Sequence, residues 1–489
     1  MSSKNESSTV SHPVLIQGGM GVSISSWRLA KAVARRGHMG VVSGTALDSV
    51  IAARLQEGDI GGELRRAFDA FPNRELADRV YYLWHSSKGL SESGVYKRVP
   101  MFSEKPPIYL LELTVLSAFA EVWLAKEERT GPIGINLLEK VQAPTLPLLY
   151  GAMLGGVDYV LMGAGIPRDI PGHLDRLLDH QICALRLNLD NDEPVLAVFN
   201  PAIMACEFAF LERPRFLAIV SSHILAMSLA RSGGVDGFVL EGPMAGGHNA
   251  PPRGWTPASN DEPIYGERDE ANLERVARLG LPFWLAGAQD DSESLGRAQS
   301  AGATGIQVGT AFAFCSDSGM ENEVRRRAIE ASLDNRAETR TEGRGSPTGF
   351  PFKTLSLEGS EGARPAGERK RQTCTHGYLR SAYRKKDGGI GWRCAAEPES
   401  HYVMKGGDLN DCTDRRCLCN GLLATAGHAH RMKSGELERP LITSGYLRCL
   451  RELLGDKEDY DANDVIDRLG LTDGPGALSA TNNARSSGG

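Results

Sequence analysis

A carboxylate and an imidazole stand close together in a glycine-rich stretch in the middle of the chain. Residues 235–254 read VDGFVLEGPMAGGHNAPPRG, in which the apolar run GFVL leads into Glu241 and then into Gly246, Gly247 and His248. Such a run is typical of a buried parallel strand, and parallel α/β folds place their chemistry where strands end. We therefore expect His248 to accept or donate a proton in catalysis. The alternative is a loop histidine that only hydrogen-bonds to the backbone, with Glu241 either orienting it or satisfying backbone N–H groups.

Eight short apolar runs, each followed by a helical pattern, predict the framework that positions these residues. They cover residues 14–16, 39–43, 133–137, 157–162, 216–220, 237–240, 282–285 and 305–308. Eight strands that each lead into a helix are the pattern of a TIM (β/α)8 barrel, an α/β fold. We expect insertions near residues 48–129 and 182–215, the second containing a hairpin. A doubly wound open sheet is the alternative, although no G-x-G-x-x-G turn opens the first helix.

Glycines at three of the predicted strand ends would let the backbone approach a ligand closely. The first strand leads into a Gly-Gly-Met turn at residues 18–20, which is either a phosphate or flavin contact or only a tight connection. In barrels, the loops after strands seven and eight often bind phosphate. Those loops contain Gly287 in one case and Gly309 with Thr310 in the other. We therefore expect a phosphate group at these two loops.

Four motifs within residues 13–320 together resemble one enzyme family. PVLIQGGMG, GINLL, LEGPMAGGH and WLAGAQDDSESLGRAQSAGATGIQVGTAF are similar in order and spacing to the nitronate monooxygenase (2-nitropropane dioxygenase) family of FMN-dependent barrels, which includes flavin-dependent enoyl reductases. The resemblance implies FMN as the cofactor and His248 as the active-site histidine. The residues that it implies for cofactor binding are Gly18, Gly19, Met20, Asn136, Gly246, Gly247, Gly287, Gly309 and Thr310, to which we add Glu241 at the strand end.

The chain departs from short members of this family in three places. The seventh strand ends in Ala-Gly-Ala rather than two glycines, and NAPPRG follows His248, which implies a different substrate pocket. The third departure is a cysteine-rich C-terminal region that short members lack.

Six of the nine cysteines fall in the last third of the chain. Four of them, Cys374, Cys394, Cys417 and Cys419, offer thiolates of the kind that ligate zinc or an iron-sulfur cluster. Unligated or redox-active thiols are the alternative, because the spacings other than C-x-C match no standard ligand pattern. A cluster would allow electrons to reach or leave the flavin one at a time. Further candidate ligands are Cys412, Cys449, His376 and His401.

Composition divides the chain into four predicted segments. These are a disordered arm at residues 1–12, an FMN-binding barrel at 13–335, a cysteine-rich region at 336–472 and a disordered tail at 473–489. A net charge of -6 and a pI near 6.1 argue against binding to nucleic acid or to anionic lipid. We expect a cytoplasmic protein without a signal peptide or membrane span.

The residues and the resemblance together predict an FMN-dependent oxidoreductase. We expect it to oxidise a nitronate or a similar small carbanion-like substrate, with oxygen or NAD(P)H as electron partner. One alternative is an NAD(P)H-linked flavin enoyl reductase of lipid or polyketide biosynthesis. Another is a non-catalytic flavin- or metal-binding sensor or partner-binding protein.

Overall fold

The computed structural model of the chain describes residues 12–90, 94–128, 131–189, 194–255, 262–365, 368, 371, 373–432 and 435–477. The predicted N-terminal arm therefore lies outside the described residues except for His12. Of the predicted tail only residues 473–477 are described. There, the Gly474 N–H donates to the carbonyl of Arg36 at 2.8 Å, so the start of this tail packs on the barrel.

The described residues form a mixed α/β architecture. The strands are β1 Leu15–Gln17, β2 Gly40–Ser43, β3 Ile133–Leu138, β4 Tyr159–Gly163, β5 Cys183–Leu187, β6 Val195–Phe199, β7 Arg215–Val220, β8 Gly237–Glu241, β9 Gly247–His248, β10 Phe283–Ala286, β11 Gly305–Val308, β12 Glu338–Glu342, β13 Phe352–Ser356, β14 Ser381–Arg384 and β15 Ile390–Arg393. The helices are α1 Trp27–Arg35, α2 Leu47–Gln56, α3 Glu63–Asp69, α4 Arg74–Trp84, α5 Ile108–Lys126, α6 Thr145–Leu154, α7 Ile170–Leu178, α8 His223–Ser232, α9 Leu273–Ala277, α10 Ser294–Ser300, α11 Thr310–Ala313, α12 Asn322–Leu333, α13 Glu399–Met404, α14 Leu418–Thr425, α15 Leu450–Leu454 and α16 Ala462–Arg468.

Eight parallel strands form a closed barrel. Their order is β1-β11-β10-β8-β7-β4-β3-β2, and Ile16 bridges to Met39 in parallel, which joins the last strand to the first. The Gln17 N–H donates to the carbonyl of Met39 at 2.9 Å across this junction. The predicted TIM barrel is confirmed, and each of its eight predicted strands is present.

Apolar side chains fill both sides of the barrel wall, which explains why its strands read as continuous apolar runs. The interior cluster contains Ile16, Met39, Val41, Tyr159, Leu161, Leu217, Val239, Trp284 and Ala286. The other face packs against the surrounding helices. At the amino-terminal end, the indole N–H of Trp284 donates to the carbonyl of Pro13 at 2.8 Å and thereby satisfies a buried donor.

The first predicted insertion is helical and consists of α2 to α5. Helix α5 is long and apolar enough to cross a membrane by length and composition alone, but most of it is buried inside the protein. Its Glu121 is buried and accepts from the Trp27 N–H at 2.8 Å and from the guanidinium of Arg54 at 2.8 Å. The aromatic residues Tyr81 and Trp84 of α4 are buried in the core, so they serve packing rather than a pocket.

Two other local predictions have different outcomes. The predicted hairpin is present as the antiparallel pair β5–β6, although the predicted turn at residues 190–192 lies outside the described residues. The charged helical pattern of residues 269–279 predicts a helix over that whole range, which is longer than the observed one. Only α9 is helical there, because Asn272 caps it by accepting from the Arg275 N–H at 2.9 Å, after a separate 3-10 turn at Glu267–Asp269.

The C-terminal region packs onto the barrel mouth. Strand β9, which belongs to the loop after β8, pairs with β13, and β13 pairs with β12. A buried bidentate ion pair joins Arg416 to Glu342, with N–O distances of 2.6 and 2.5 Å. The Tyr460 hydroxyl donates to the carbonyl of Ala311 at 2.8 Å. The cysteine-rich region therefore contributes to the surroundings of the barrel's active end.

Candidate active site

A cavity of about 530 Å³ lies at the carboxyl ends of the barrel strands. Every residue that the sequence predicted for cofactor binding lines it, as does His248. This volume lies within the usual range for small-molecule sites. The structure thus brings the predicted site residues of the barrel into one place, where TIM-barrel enzymes carry out their chemistry.

The turn after β1 and the end of β3 form one wall of the cavity. The side-chain amide of Asn136 donates to the carbonyl of Gly19 at 2.9 Å. A Cβ at residue 19 would lie 2.3 Å from the Cβ of Asn136, so only glycine fits there. The Met20 N–H donates to the hydroxyl of Ser25 at 2.8 Å, which fixes the turn. The turn of Gly18, Gly19 and Met20 therefore lines the cavity in a fixed conformation.

Two side-chain amide oxygens on the cavity wall lack partners. Asn136 Oδ1 and Gln307 Oε1 are buried, and neither has a hydrogen-bond partner among the described residues. A buried unsatisfied acceptor costs about 1–3 kcal/mol, so a ligand with N–H donors would stabilise both. Gln307 was not predicted from the sequence, although a glutamine within the otherwise apolar strand GIQV can indicate a functional side chain.

The two predicted phosphate loops meet at the opposite part of the cavity. Gly287 adopts a φ of +95°, a left-handed conformation that favours glycine. The Thr310 hydroxyl oxygen accepts from the Gly445 N–H at 2.9 Å, which leaves its own O–H free to donate. Arg448, from the C-terminal region, lines the same cavity. The arrangement provides hydroxyl, backbone and guanidinium donors for an anion.

His248 is held by the C-terminal region. Its Nε2 lies 2.8 Å from the Ser346 hydroxyl oxygen, and its ring meets that of Phe352 edge to face at 4.8 Å. The Thr348 N–H also approaches Ser346 Oγ, at 3.2 Å. Burial lowers the pKa of His248 to about 4, so the imidazole is neutral near pH 7. Ser346 and Phe352 are distant in sequence, and no local pattern predicted their contact with His248.

Glu241 is a carboxyl on the cavity wall whose pKa is raised towards neutrality. Burial raises the pKa of Glu241 to about 7, an effect that the nearby cation of Lys353 opposes. The ammonium of Lys353 itself donates to the carbonyl of Pro243 at 2.6 Å. Since His248 Nε2 is hydrogen-bonded to Ser346 rather than to Glu241, the carboxyl is available to the cavity as an acid.

Residues of the C-terminal region complete the cavity wall. They include Tyr378, Cys419 and Gly445. The Tyr378 hydroxyl donates to Asp48 at 2.7 Å and lies 2.6 Å from the hydroxyl of Ser49, which ties this wall to helix α2. The barrel alone therefore does not enclose the site.

The four predicted metal-ligating cysteines come together in the C-terminal region. Cys374, Cys394, Cys417 and Cys419 interact electrostatically with one another, and Cys419 also lines the cavity. However, no group of three or more His, Cys, Asp or Glu side chains among the described residues is placed to hold one metal ion. Neither the predicted zinc site nor the predicted iron-sulfur cluster therefore finds support in the geometry of the described residues.

Three comparisons with known proteins bear on this site. The family model described as nitronate monooxygenase matches residues 201–356, a segment that includes Glu241, His248 and both phosphate loops. The resemblance seen in the sequence is confirmed over this segment.

A curated relative from Mycobacterium tuberculosis (strain ATCC 25618 / H37Rv) is 32% identical over 179 residues. It is described as (3aS,4S,5R,7aS)-5-hydroxy-7a-methyl-1-oxo-octahydro-1H-indene-4-carboxyl-CoA dehydrogenase. The match covers 35% of this chain and 46% of the relative, so this chain spans about half the relative's length.

Two solved structures are similar over most of the chain. FabK from Thermotoga maritima is 16% identical with a TM-score of 0.45, over 94% of this chain and 91% of FabK. Nitroalkane oxidase from Streptomyces ansochromogenes is 14% identical with a TM-score of 0.45, over 94% of each chain.

Proposed function

We propose that this chain is an FMN-dependent oxidoreductase that reduces an α,β-unsaturated acyl thioester, starting from the match of residues 201–356 to the family model described as nitronate monooxygenase. The observation that carries the proposal is the composition of one cavity. The glycine turn after β1 and the side-chain amides of Asn136 and Gln307 line it, as does the carboxyl of Glu241, whose pKa burial raises to about 7.

The residues of the cavity fit FMN. The unpartnered oxygens of Asn136 and Gln307 would accept from N–H groups of the flavin ring system. Gly287, Thr310 and Arg448 would hold its phosphate through backbone, hydroxyl and guanidinium donors. When bound, FMN supplies hydride transfer to or from carbon.

Glu241 would provide the proton that the reduction needs. Adding hydride to one carbon of a conjugated double bond requires a proton at the neighbouring carbon. Because the pKa of Glu241 is about 7, a substantial fraction of the carboxyl carries a proton at neutral pH. The proton is replaced from solvent after each turnover.

His248 would position the thioester carbonyl. The Ser346 hydroxyl can donate to Nε2 of His248, which leaves Nδ1 protonated and able to donate to a substrate oxygen. Since the pKa of His248 is about 4, the ring acts as a neutral hydrogen-bond donor rather than as an acid. A donor at that oxygen would stabilise the negative charge that develops there during reduction.

A thioester substrate is supported by one comparison. The curated relative with 32% identity is named as a carboxyl-CoA dehydrogenase.

Anaerobic flavin spectroscopy tests this proposal. NADPH or NADH is added to the purified protein until the flavin absorbance is bleached, and crotonyl-CoA is then added. We expect the absorbance to recover and the saturated thioester to form, and we expect Glu241→Gln to slow recovery. The exposed Glu207→Gln variant serves as a matched control. A lack of recovery with crotonyl-CoA contradicts the thioester assignment.

Nitronate oxidation is the second candidate function, and the description of the matching family model favours it. A nitronate is already deprotonated, so its oxidation does not depend on an acid at Glu241. This function would be selected if ethyl nitronate, but not NADPH, bleached the flavin absorbance. The rate of bleaching should then be equal in Glu241→Gln and in the unaltered protein. Turnover that is unchanged in a flavin-loaded His248→Ala variant would contradict the assigned role of His248. Absence of turnover in the unaltered, flavin-loaded protein would favour a binding protein.

A further inference from the structure

The β5–β6 hairpin carries apolar side chains on both of its faces. Along strand β6, Ala197 and Phe199 point inward and are buried. Leu196 and Val198 point outward and are exposed, as is Ile182, which directly precedes β5. A sheet with one face in water normally alternates apolar inward residues with polar outward ones. This hairpin departs from that pattern, because its outer face is apolar as well.

Strand β6 is also the unprotected edge of this hairpin. It pairs with β5 on one side, and no hydrogen bond between described residues joins residues 195–199 to any other segment. The free side of β5 is covered, since the Gln142 side chain donates to the carbonyl of Arg186 at 3.3 Å and accepts from the Asn188 N–H at 2.9 Å. Proteins usually protect an exposed strand edge with charged residues, because its free N–H and C=O groups can pair with another chain. Residues 194–200, PVLAVFN, contain no charged residue.

Two exposed aromatic residues adjoin the hairpin. Phe208 is 100% exposed and Phe210 is 86% exposed. Between them, the carbonyl oxygen of Ala209 lies 3.2 Å from Nε2 of His180, which stands just before β5. This segment therefore runs beside the hairpin, and its two rings enlarge the apolar surface there.

This apolar surface has the area that a stable dimer needs. A fully exposed phenylalanine presents about 150–250 Å², so the two rings and the three half-exposed aliphatic side chains present about 600 Å² together. The largest apolar patch of a soluble monomer is typically about 300–600 Å², so this surface lies at the upper end. Two copies in contact would bury about 1,200 Å² in total, which reaches the range of specific protein–protein interfaces.

We propose that strand β6 pairs antiparallel with strand β6 of a second copy of this chain. A strand that pairs antiparallel with its own copy obeys two-fold symmetry, so one surface serves both subunits. A two-fold axis at Ala197 places Leu196 of each copy opposite Val198 of the other, and it satisfies the free backbone groups of β6. Arg186, which lies opposite Leu196 on β5, then belongs to the polar rim of the interface. The hairpin does not line the candidate active site, so this dimer is independent of the substrate.

Sedimentation velocity of the full-length protein over a range of concentrations tests the dimer. We expect the unaltered chain to be a dimer. Val198→Lys should raise the dissociation constant of the dimer by about tenfold or more, because the two lysines would lie about 7–8 Å apart across the axis. Phe208→Ser should raise it as well, since it removes apolar contact area. The control is Ile60→Lys, which adds the same charge at an exposed isoleucine elsewhere and should remain a dimer.

Mixing two charged variants separates loss of the interface from misfolding. Val198→Lys and Val198→Glu should each be monomeric, and their equimolar mixture should form a dimer, because opposite charges then face each other across the axis. Hydrogen exchange of the backbone amides of residues 195–199 should be slower in the unaltered dimer than in monomeric Val198→Lys. An unaltered protein that is monomeric at every concentration, a dimer that persists unchanged in both charged variants, or a mixture that stays monomeric would overturn the proposal.

Discussion

Replacing Glu241 by glutamine should stabilise the protein while it slows the reaction. The carboxyl lies partly buried in the cavity wall, and loss of solvent contact raises its pKa from 4.5 to about 7. Glutamine has nearly the same shape but no charge to bury. The same substitution removes the proton that we assign to reduction, so stability and rate should change in opposite directions.

The size of the stability effect follows from the pKa of Glu241. Each pKa unit corresponds to about 1.4 kcal/mol, so a pKa of about 7 instead of 4.5 implies a cost of about 3 kcal/mol at alkaline pH. Water in the cavity screens the charge, which makes this figure an upper limit.

The pH dependence has a definite sign. Below pH 4.5 the Glu241 carboxyl is protonated in both the folded and the unfolded chain, so its ionisation does not change the free energy of unfolding. Between 4.5 and about 7 the unfolded chain loses its proton first, so the folded state becomes less stable as the pH rises. Above the pKa of Glu241 in the folded state, the decrease in the free energy of unfolding no longer changes with pH.

Urea unfolding of the Glu241→Gln variant and the unaltered protein, at equal FMN concentration, measures this difference. The two free energies of unfolding should agree at about pH 4 and differ by up to about 3 kcal/mol at about pH 8.5. The alkaline limb of the rate profile near the Glu241 pKa should disappear in the variant. Parallel stability curves over the whole range, or an unchanged rate profile, would refute the assignment of Glu241 as a buried acid.

Three further substitutions test other parts of the site. Asn136→Leu should weaken FMN binding by about tenfold, because it removes an acceptor worth about 1–2 kcal/mol; equilibrium dialysis measures this. Gly445→Ala should lower flavin retention, because the added Cβ would lie 2.9 Å from the Thr310 hydroxyl oxygen. Flavin release on heating measures this effect, and Gly266→Ala, whose added Cβ meets no atom within 4 Å, is the control. Glu342→Gln should lower the free energy of unfolding by about 3 kcal/mol, because it leaves a buried guanidinium without its counter-charge; urea unfolding measures this, and an unchanged midpoint would contradict it.

The barrel was predictable from sequence because its strands are buried on both faces. Residues 14–16 are a short apolar run followed by Gln-Gly-Gly, residues 305–308 are apolar except for Gln307 and are followed by glycine, and both segments were assigned as strands. Glycine at a strand end is also a local signal. The positions of Gly19, Gly287 and Thr310 in the cavity wall therefore agree with the sequence-based expectation.

The rest of the site was not predictable because it depends on contacts between distant segments. Nothing local to Ser346 indicates that it meets His248, which is 98 residues away. The same holds for Tyr378 and Asp48, which are 330 residues apart. The cysteines were recognised by residue type, but residue type alone does not show how their side chains are placed relative to one another.

The pairing of β9 with β13 also constrains when the active site can form. Strand β9 consists of Gly247 and His248, and its pairing partners are Lys353 and Phe352. During synthesis the barrel strands emerge from the ribosome before the C-terminal region does, and domains generally fold from the N-terminus. The imidazole thus gains its fixed orientation only after more than a hundred further residues have been added. We expect the parallel sheet of a nascent barrel to form before His248 is fixed, so that catalysis is delayed until strand β13 has been added.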